Sequence, residues 1–335
     1  VYLNNDLIGY LNKDDNGGFF FQYDKDAEQP LSISLPLRED SFTNKECRGF
    51  FNGLLPESEQ VRVNIGKRYG INPKNDFSIL NAIGYDCAGA VSFFKDMPKN
   101  LKEFYKLEGQ ILTDDELEKY IKELPRKPLA LGSDKRLSLA GAQDKTAVIL
   151  IDNKIALPDS NVPSTHIENE YICMKVAEKL GIQVPVVHID SVNDTKYFLI
   201  ERYDRVIADE TVKRVHQEDF CQASNIPSAY KYQAEGGVDY KMCIDILKKT
   251  TTPASAIKRF IDLMIFNYLI GNNDAHGKNF SLLHYANDNI VFAPAYDILC
   301  TSVYPELSNK MAMKIGGYYE ASKICLLYTS PSPRD

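Results

Sequence analysis

The strongest chemical signal in the chain is the run Gly271-Asn272-Asn273-Asp274-Ala275-His276-Gly277-Lys278-Asn279-Phe280-Ser281. Asp274 and Asn279 stand five residues apart. One carboxylate can take or orient the proton of an attacking hydroxyl. An amide oxygen a short loop away can ligate Mg²⁺ without adding a second full charge beside it. Loops that transfer phosphoryl groups use this spacing. The same residues also suit a polar turn that merely ends a helix, since Asn, Asp and Gly dominate turns. A second piece follows in Phe292-Ala293-Pro294-Ala295-Tyr296-Asp297-Ile298. Asp297 comes just after a strand-like run, Ile290 to Phe292, where a carboxylate is costly to bury without a cation or several donors. Magnesium bridging nucleotide phosphates is such a cation. A solvated loop carboxylate is the plain alternative.

A third piece, Leu137-Ser138-Leu139-Ala140-Gly141-Ala142-Gln143-Asp144-Lys145-Thr146, leads into a strand. Its Gly and Ala residues let backbone amides approach phosphate oxygens closely. It is not a Walker A loop. The stretch from Gly141 to Lys145 is too short, and Asp144 stands where that motif needs glycine.

These pieces need elements to hold them. The start reads as an antiparallel meander, Val1 to Leu3, Leu7 to Leu11 and Phe19 to Tyr23, separated by Asn4-Asn5-Asp6 and by Asp14 to Gly18. From Asn44 to Ala82 the pattern is helical. Thr113 and Glu116 make a capping box ahead of Leu117, Tyr120, Ile121 and Leu124 on one helix face. Pro125 and Pro128 bracket a basic linker, which places a domain boundary there. Lys145 to Ile151 and Lys154 to Leu157 read as a hairpin. Asn169 to Leu180 reads as a helix burying Cys173, Val176, Ala177 and Leu180 and stopped by Gly181. Strands are expected at Val184 to Ile189 and Tyr197 to Ile200. After Arg205 the pattern is mainly helical, and Ala256 to Ile270, apolar nearly all round, reads as a helix buried in mid-lobe.

Composition sets the outer limits. A chain of 335 residues fits two or more domains, and 44% hydrophobic with 25% charged residues is globular. A net charge of −7 disfavours autonomous, non-specific DNA binding. No apolar run approaches the roughly 20 residues of a membrane span. The seven scattered cysteines form no Cys-x-x-Cys pair, which fits free thiols in a reducing cytoplasm rather than zinc or disulfides. The chain begins without Met, and residues 326–335 break from the preceding pattern, as a non-native tail would; a native disordered tail is the alternative.

Together, Ser138 to Val148, Glu201-Arg202-Tyr203-Asp204-Arg205, Val215 to Gln222, Asn273 to Ser281 and Tyr296-Asp297-Ile298-Leu299 resemble the HipA kinases. Phe50-Phe51-Asn52-Gly53-Leu54-Leu55-Pro56-Glu57 and Ile83 to Ala90 extend the resemblance over almost the whole chain to about Ile324. It implies an α+β, two-lobed protein-kinase-like fold, with a strand-rich N-lobe at 127–205 and a helical C-lobe at 206–325. An N-terminal α/β subdomain at 1–126 precedes them, and the C-terminal helices are truncated. The implied activity is an ATP- and Mg²⁺-dependent serine/threonine protein kinase acting as a cytoplasmic toxin. Asp274 would be the catalytic base, and Asn279 and Asp297 the metal ligands. His276, Gly277, Lys278 and Tyr296 would lie at the nucleotide phosphates. Ala140, Gly141, Ala142, Gln143, Asp144 and Lys145 would form the phosphate-contacting loop, and Glu201, Arg202 and Tyr203 the hinge that meets adenine. Ser138 would be the autophosphorylation site. Without the resemblance, His276 reads as a turn histidine and Ser138 as an exposed hydroxyl. The implied partners are a DNA-binding, HipB-like antitoxin, with DNA met only through it, and an aminoacyl-tRNA synthetase target, by resemblance glutamyl. No membrane partner is implied.

Two departures stand out. Family members carry a nucleotide-binding lysine on a strand after the Ser164-Thr165-His166-Ile167 stretch, but here Glu168-Asn169-Glu170 follows at once. Neither Lys145 nor Lys154 is an obvious substitute. The chain also stops soon after Ala312 to Gly317, where family members continue into further helices. A catalytically impaired kinase fold, binding nucleotide or the antitoxin as a transcriptional co-repressor, is therefore the alternative. A metal-dependent phosphohydrolase using Asp274 and Asp297 would need more ligands than the sequence offers.

Overall fold

The structure, a computed structural model, describes residues 1–13, 18–85, 87–95, 110–123, 148–151, 154–157, 167–208 and 211–324. Ser138, the loop Ala140 to Lys145, Leu124, the proline-bracketed linker and the tail lie outside them.

The N-terminal meander forms as its turn chemistry dictates. Asn4, in the left-handed region at φ 55°, reverses the chain between Tyr2–Leu3 and Asp6–Leu7, and Val91–Ser92 joins Tyr2–Leu3 on its other side. Gly9–Lys13 pairs antiparallel with Phe19–Tyr23, whose alternate residues Phe19, Phe21 and Tyr23 turn inward. Helix Asn44–Gly53 starts at Thr43, where the Glu46 carboxylate returns to accept the Thr43 N–H at 2.8 Å. It delivers Phe50 and Phe51 into a core with Phe21, Leu31, Leu35, Ile79 and Leu80. Each large side chain fully buried there contributes about 1.5–3 kcal/mol. Helices Glu59–Tyr69 and Asp76–Ile83 close the subdomain, capped by Ser58 and Asn75.

A small second core joins Leu117, Ile155 and Val192 with Leu112, Ile121, Tyr197 and Leu199. Gln110–Ile111 pairs with Lys154–Leu157, which pairs with Ile149–Ile151. Helix Asp114–Glu123 packs beside the hairpin Val187–Val192/Thr195–Ile200, with Glu118 accepting from Asn193. The segment 110–123, expected in the N-terminal subdomain, therefore packs with the strands that follow it. The Thr113–Glu116 capping box is present.

The largest core gathers Met174, Ala177, Phe220, Phe260, Phe280, Leu282, Phe292 and Ile298. Helix Ile167–Lys179 buries Cys173, Met174 and Ala177, whereas Val176 and Leu180, expected inside, are exposed. Cys173 and Ala177 lie on the buried face as expected, and that face continues through Glu170 and Met174. Helix Pro253–Ile270 buries Ala256, Phe260, Leu263 and Phe266, but Ile261, Ile265 and Leu269 face outward. Its all-round apolar pattern is thus met by the core on one side only among the described residues. The expectation of a mainly helical C-terminal part is also corrected. Arg205–Ala208 pairs with Thr211–Arg214, and Lys310–Ile315 with Tyr318–Glu320. His216–Asp219, Ser281–Tyr285 and Asn289–Phe292 form a three-stranded antiparallel sheet. These strands are short, three to six residues, and one of them, His216–Asp219, has no apolar residue at all, which hides any alternation. Helices Phe220–Ala223 and Tyr240–Leu247 complete this region.

The N-terminal subdomain is fixed to this core at close range. A Cβ on Gly49 would sit 2.0 Å from the Asn225 carbonyl carbon, and Gly49 N–H donates to Asn225 Oδ1 at 2.7 Å. Arg214 is buried and donates to the carbonyls of Cys87, Gly89 and Val91 and to Ser92 Oγ. Glu218, fully buried, accepts from Ser32 Oγ, Ile33 N–H and His284.

Candidate active site

Helix Pro253–Ile270 ends at Gly271, whose φ of 71° and whose contact with Ser302 leave no room for a side chain. The polar turn beyond is wired rather than loose. Asn272 bridges Asn267 and the Asp274 N–H, while Asn273 bonds Thr301 Oγ1 and Ser302 Oγ. Asn279 Nδ2 donates to the Asp274 carbonyl at 3.1 Å, locking the two residues across the loop. That bond uses the amide nitrogen, so the oxygen remains for a hard cation.

Asp297 follows the strand Asn289–Phe292 and adopts φ 58°, which is uncommon for a residue with a Cβ. Its neighbour Tyr296 is anchored by bonds to Ser281 Oγ at 2.6 Å and to the Lys278 carbonyl at 2.7 Å. Asp297 lies close enough for its charge to act on the Asp274 carboxyl. Burial pushes the Asp274 carboxyl up, and the charges of Asp297 and Glu57 push it further; the Tyr232 hydrogen bond and the Lys231 ammonium oppose this. His276 is buried and held neutral, its imidazole lowered to about 3 by burial and by Lys231. Its Nδ1 is buried without a hydrogen-bond partner. A neutral imidazole nitrogen with nothing to bind, beside two carboxylates and an amide oxygen, suits a polar ligand.

The residues singled out from sequence divide as follows. Asp274, His276, Gly277, Asn279, Tyr296 and Asp297 come together. Tyr203 joins them, its ring 6.0 Å from that of Tyr296. Glu201 is exposed and its N–H bonds the Val186 carbonyl; Arg202 is turned into a two-pronged pair with Asp204 at 2.8 and 2.6 Å. Lys278, expected at the phosphates, is committed elsewhere. Its Nζ lies 2.7 Å from Asp219 Oδ2 and 3.8 Å from Glu57 Oε1, with 5% of its side chain exposed. Those carboxylates keep it charged against the cost of burial. Among the described residues no group of three or more His, Cys, Asp or Glu is placed to hold a metal alone. Two side-chain oxygens, those of Asn279 and Asp297, are too few to hold a hard cation by themselves.

Sequence reasoning missed Lys231 and Tyr232 and gave Glu57 no role. Tyr232 donates to Asp274 Oδ1 at 2.5 Å, and Lys231 pairs with Glu57 at 2.8 Å. They come from a stretch without periodicity. The site is assembled, in short, from the catalytic-type turn, the Tyr296–Asp297 segment and an unforeseen third wall.

A family profile for the HipA-like C-terminal domain matches residues 137–329, and one for the HipA N-terminal domain matches residues 1–94. The chain belongs to the HipA-like kinase family. A protein of Sinorhizobium fredii that carries a kinase name, Y4mE, is 40% identical over 94% of this chain and 80% of its own length. The serine/threonine-protein kinase toxin HipA of Shewanella oneidensis is 28% identical over 97% of this chain and 80% of the toxin. Among solved structures, the Shewanella HipA in complex with HipB and operator DNA superposes with a TM-score of 0.81 at 26% identity, over 96% of this chain and 81% of that one. The HipA-like assignment agrees with motifs spread from Phe50 to Leu299 and not with the turn alone. No helix among the described residues is long and apolar enough to cross a membrane.

Proposed function

We propose that this chain is an ATP- and Mg²⁺-dependent serine/threonine protein kinase of the toxin type, on a two-lobed protein-kinase-like fold. The observation that carries the reading is the convergence of Asp274, Asn279 and Asp297 from two neighbouring loops, with the pinned Tyr296 between them. Asp274 orients the acceptor hydroxyl and takes its proton. Asn279 and Asp297 would hold magnesium, which when bound neutralises charge on the phosphates. Neutral His276 offers a nitrogen to a phosphate oxygen or to water, and Tyr203 shields the site from the hinge side. Ser138 is the proposed self-modification site. A HipB-like antitoxin and an aminoacyl-tRNA synthetase, the glutamyl enzyme foremost, are the proposed partner and target. The test is mass spectrometry of the chain after incubation with ATP and Mg²⁺. One phosphate on Ser138 is expected; an unmodified chain whose nucleotide is nonetheless bound argues against transfer.

A second reading has one observation behind it. Helix Ile167–Lys179 begins at Ile167 itself, leaving no strand between Ile167 and Glu170 to carry the phosphate-binding lysine. A chain lacking that cation would bind nucleotide or the antitoxin without transferring phosphate, serving as a co-repressor. A rise in melting temperature with ATP and Mg²⁺, but no phosphoprotein, would select it.

A further inference from the structure

The motif Phe50 to Glu57 and the stretch Lys231-Tyr232 have no role yet beyond their electrostatic influence on Asp274, but they meet beside it. Glu57 belongs to the N-terminal subdomain, just beyond helix Asn44–Gly53. Its two carboxylate oxygens face two lysines, Lys231 at 2.8 Å and Lys278, which belongs to the Asp274 turn, at 3.8 Å. The next residue after Lys231, Tyr232, donates its hydroxyl to Asp274 Oδ1 at 2.5 Å and sets its ring edge-on to His276 at 5.2 Å. This stretch is held from several sides. The Gly277 N–H reaches the Lys231 carbonyl, and Gln233 accepts from the Lys314 N–H at 2.7 Å. At Gly237 the chain folds back so tightly that a Cβ would lie 2.5 Å from the Tyr230 carbonyl oxygen.

We propose that Glu57 and Tyr232 are positioning residues for phosphotransfer, acting as one strut from the N-terminal subdomain to the Asp274 carboxylate. Tyr232 occupies one carboxylate oxygen and so fixes the rotation that presents the other to an acceptor hydroxyl. Glu57 fixes Lys231 and thereby the register of Tyr232. The N-terminal subdomain is then part of the catalytic apparatus, and whatever loosens its seat slackens Asp274. The inference rests on Asp274 as the base.

The experiment compares wild type, Tyr232→Phe, Glu57→Gln, the double variant and Asp274→Asn in steady-state phosphotransfer. Phenylalanine keeps the ring against His276 and removes only the hydroxyl. Tyr232→Phe should lower kcat about tenfold to a hundredfold, the rate equivalent of one lost hydrogen bond to a charged group. KM for ATP should stay within about twofold, as expected when ground-state binding is untouched. Glu57→Gln should lower kcat less, and the double variant should be no worse than Tyr232→Phe, because both cut one strut. Multiplying effects, or a KM change equal to the kcat change, would overturn the strut. So would Tyr232→Phe at wild-type rate while Asp274→Asn is dead. Undiminished transfer by Asp274→Asn would instead remove the reading beneath it.

Discussion

Replacing Asp219 by Asn tests how the catalytic turn is held down. The Lys278 ammonium is buried, with Asp219 Oδ2 at 2.7 Å, Gly53 carbonyl at 3.5 Å and Glu57 at 3.8 Å. At an effective dielectric of about 20, the attraction at that shortest distance is roughly 6 kcal/mol before either ion's dehydration is counted. Asparagine can still cap helix Phe220–Ala223, where Asp219 Oδ1 accepts from Gln222 N–H at 2.8 Å, so the change isolates the charge. Losing one partner of a buried pair costs about 3–5 kcal/mol. With Glu57 still near, the loss should fall at the lower end, about 3 kcal/mol. Lys278→Met should cost a similar amount by stranding Asp219, whose carboxyl burial already pushes up. The double variant should recover much of both losses. Equilibrium urea unfolding of all four proteins measures this. Singles within about 1 kcal/mol of wild type, or a double equal to the sum of the singles, would refute the reasoning.

Three further outcomes follow from the same geometry. Gly49→Ala forces a methyl group into the Asn225 backbone and should destabilise by about 1–3 kcal/mol, read as a lower melting temperature; an unchanged melting temperature would count against that close approach. His216 is buried and neutral, its pKa lowered to about 4 by burial and by His284, so the unfolded chain takes up a proton first and stability falls as pH drops from about 6.5 toward 4. His216→Gln should shrink the pH 7 to pH 5 stability difference by about 2 kcal/mol; an unchanged difference in urea titrations counts against it. Asp297→Asn should cut phosphotransfer about a hundredfold or more and raise the Mg²⁺ concentration for half-maximal rate, with a flat Mg²⁺ dependence speaking against its ligand role.

Much of the site could be read before any coordinates, because turn chemistry is local. Gly271 at positive φ, the Asp274–Asn279 spacing and the strand before Asp297 each follow from a few adjacent residues. The N-terminal meander and the cap at Thr113 are legible for the same reason. Long-range pairing was not. Nothing local says that Lys278 will pair with Asp219 and Glu57, or that Tyr232, forty-two residues before Asp274, will bond it. Segment 110–123 packs with strands that follow it, which proline punctuation does not foretell, since it marks a linker without saying which sheet the preceding strand joins. The periodicity points to helix Ile167–Lys179 but puts Val176 and Leu180 on its buried face, because composition favours them for the core while the fold leaves them exposed.

The central claim is that Asp274 serves a phosphotransfer centre. The most direct measurement is label from γ-phosphate of ATP incorporated into protein, for wild type and Asp274→Asn side by side with Mg²⁺ present. Incorporation by wild type that falls to background in the variant is predicted. Equal incorporation by both would contradict the account.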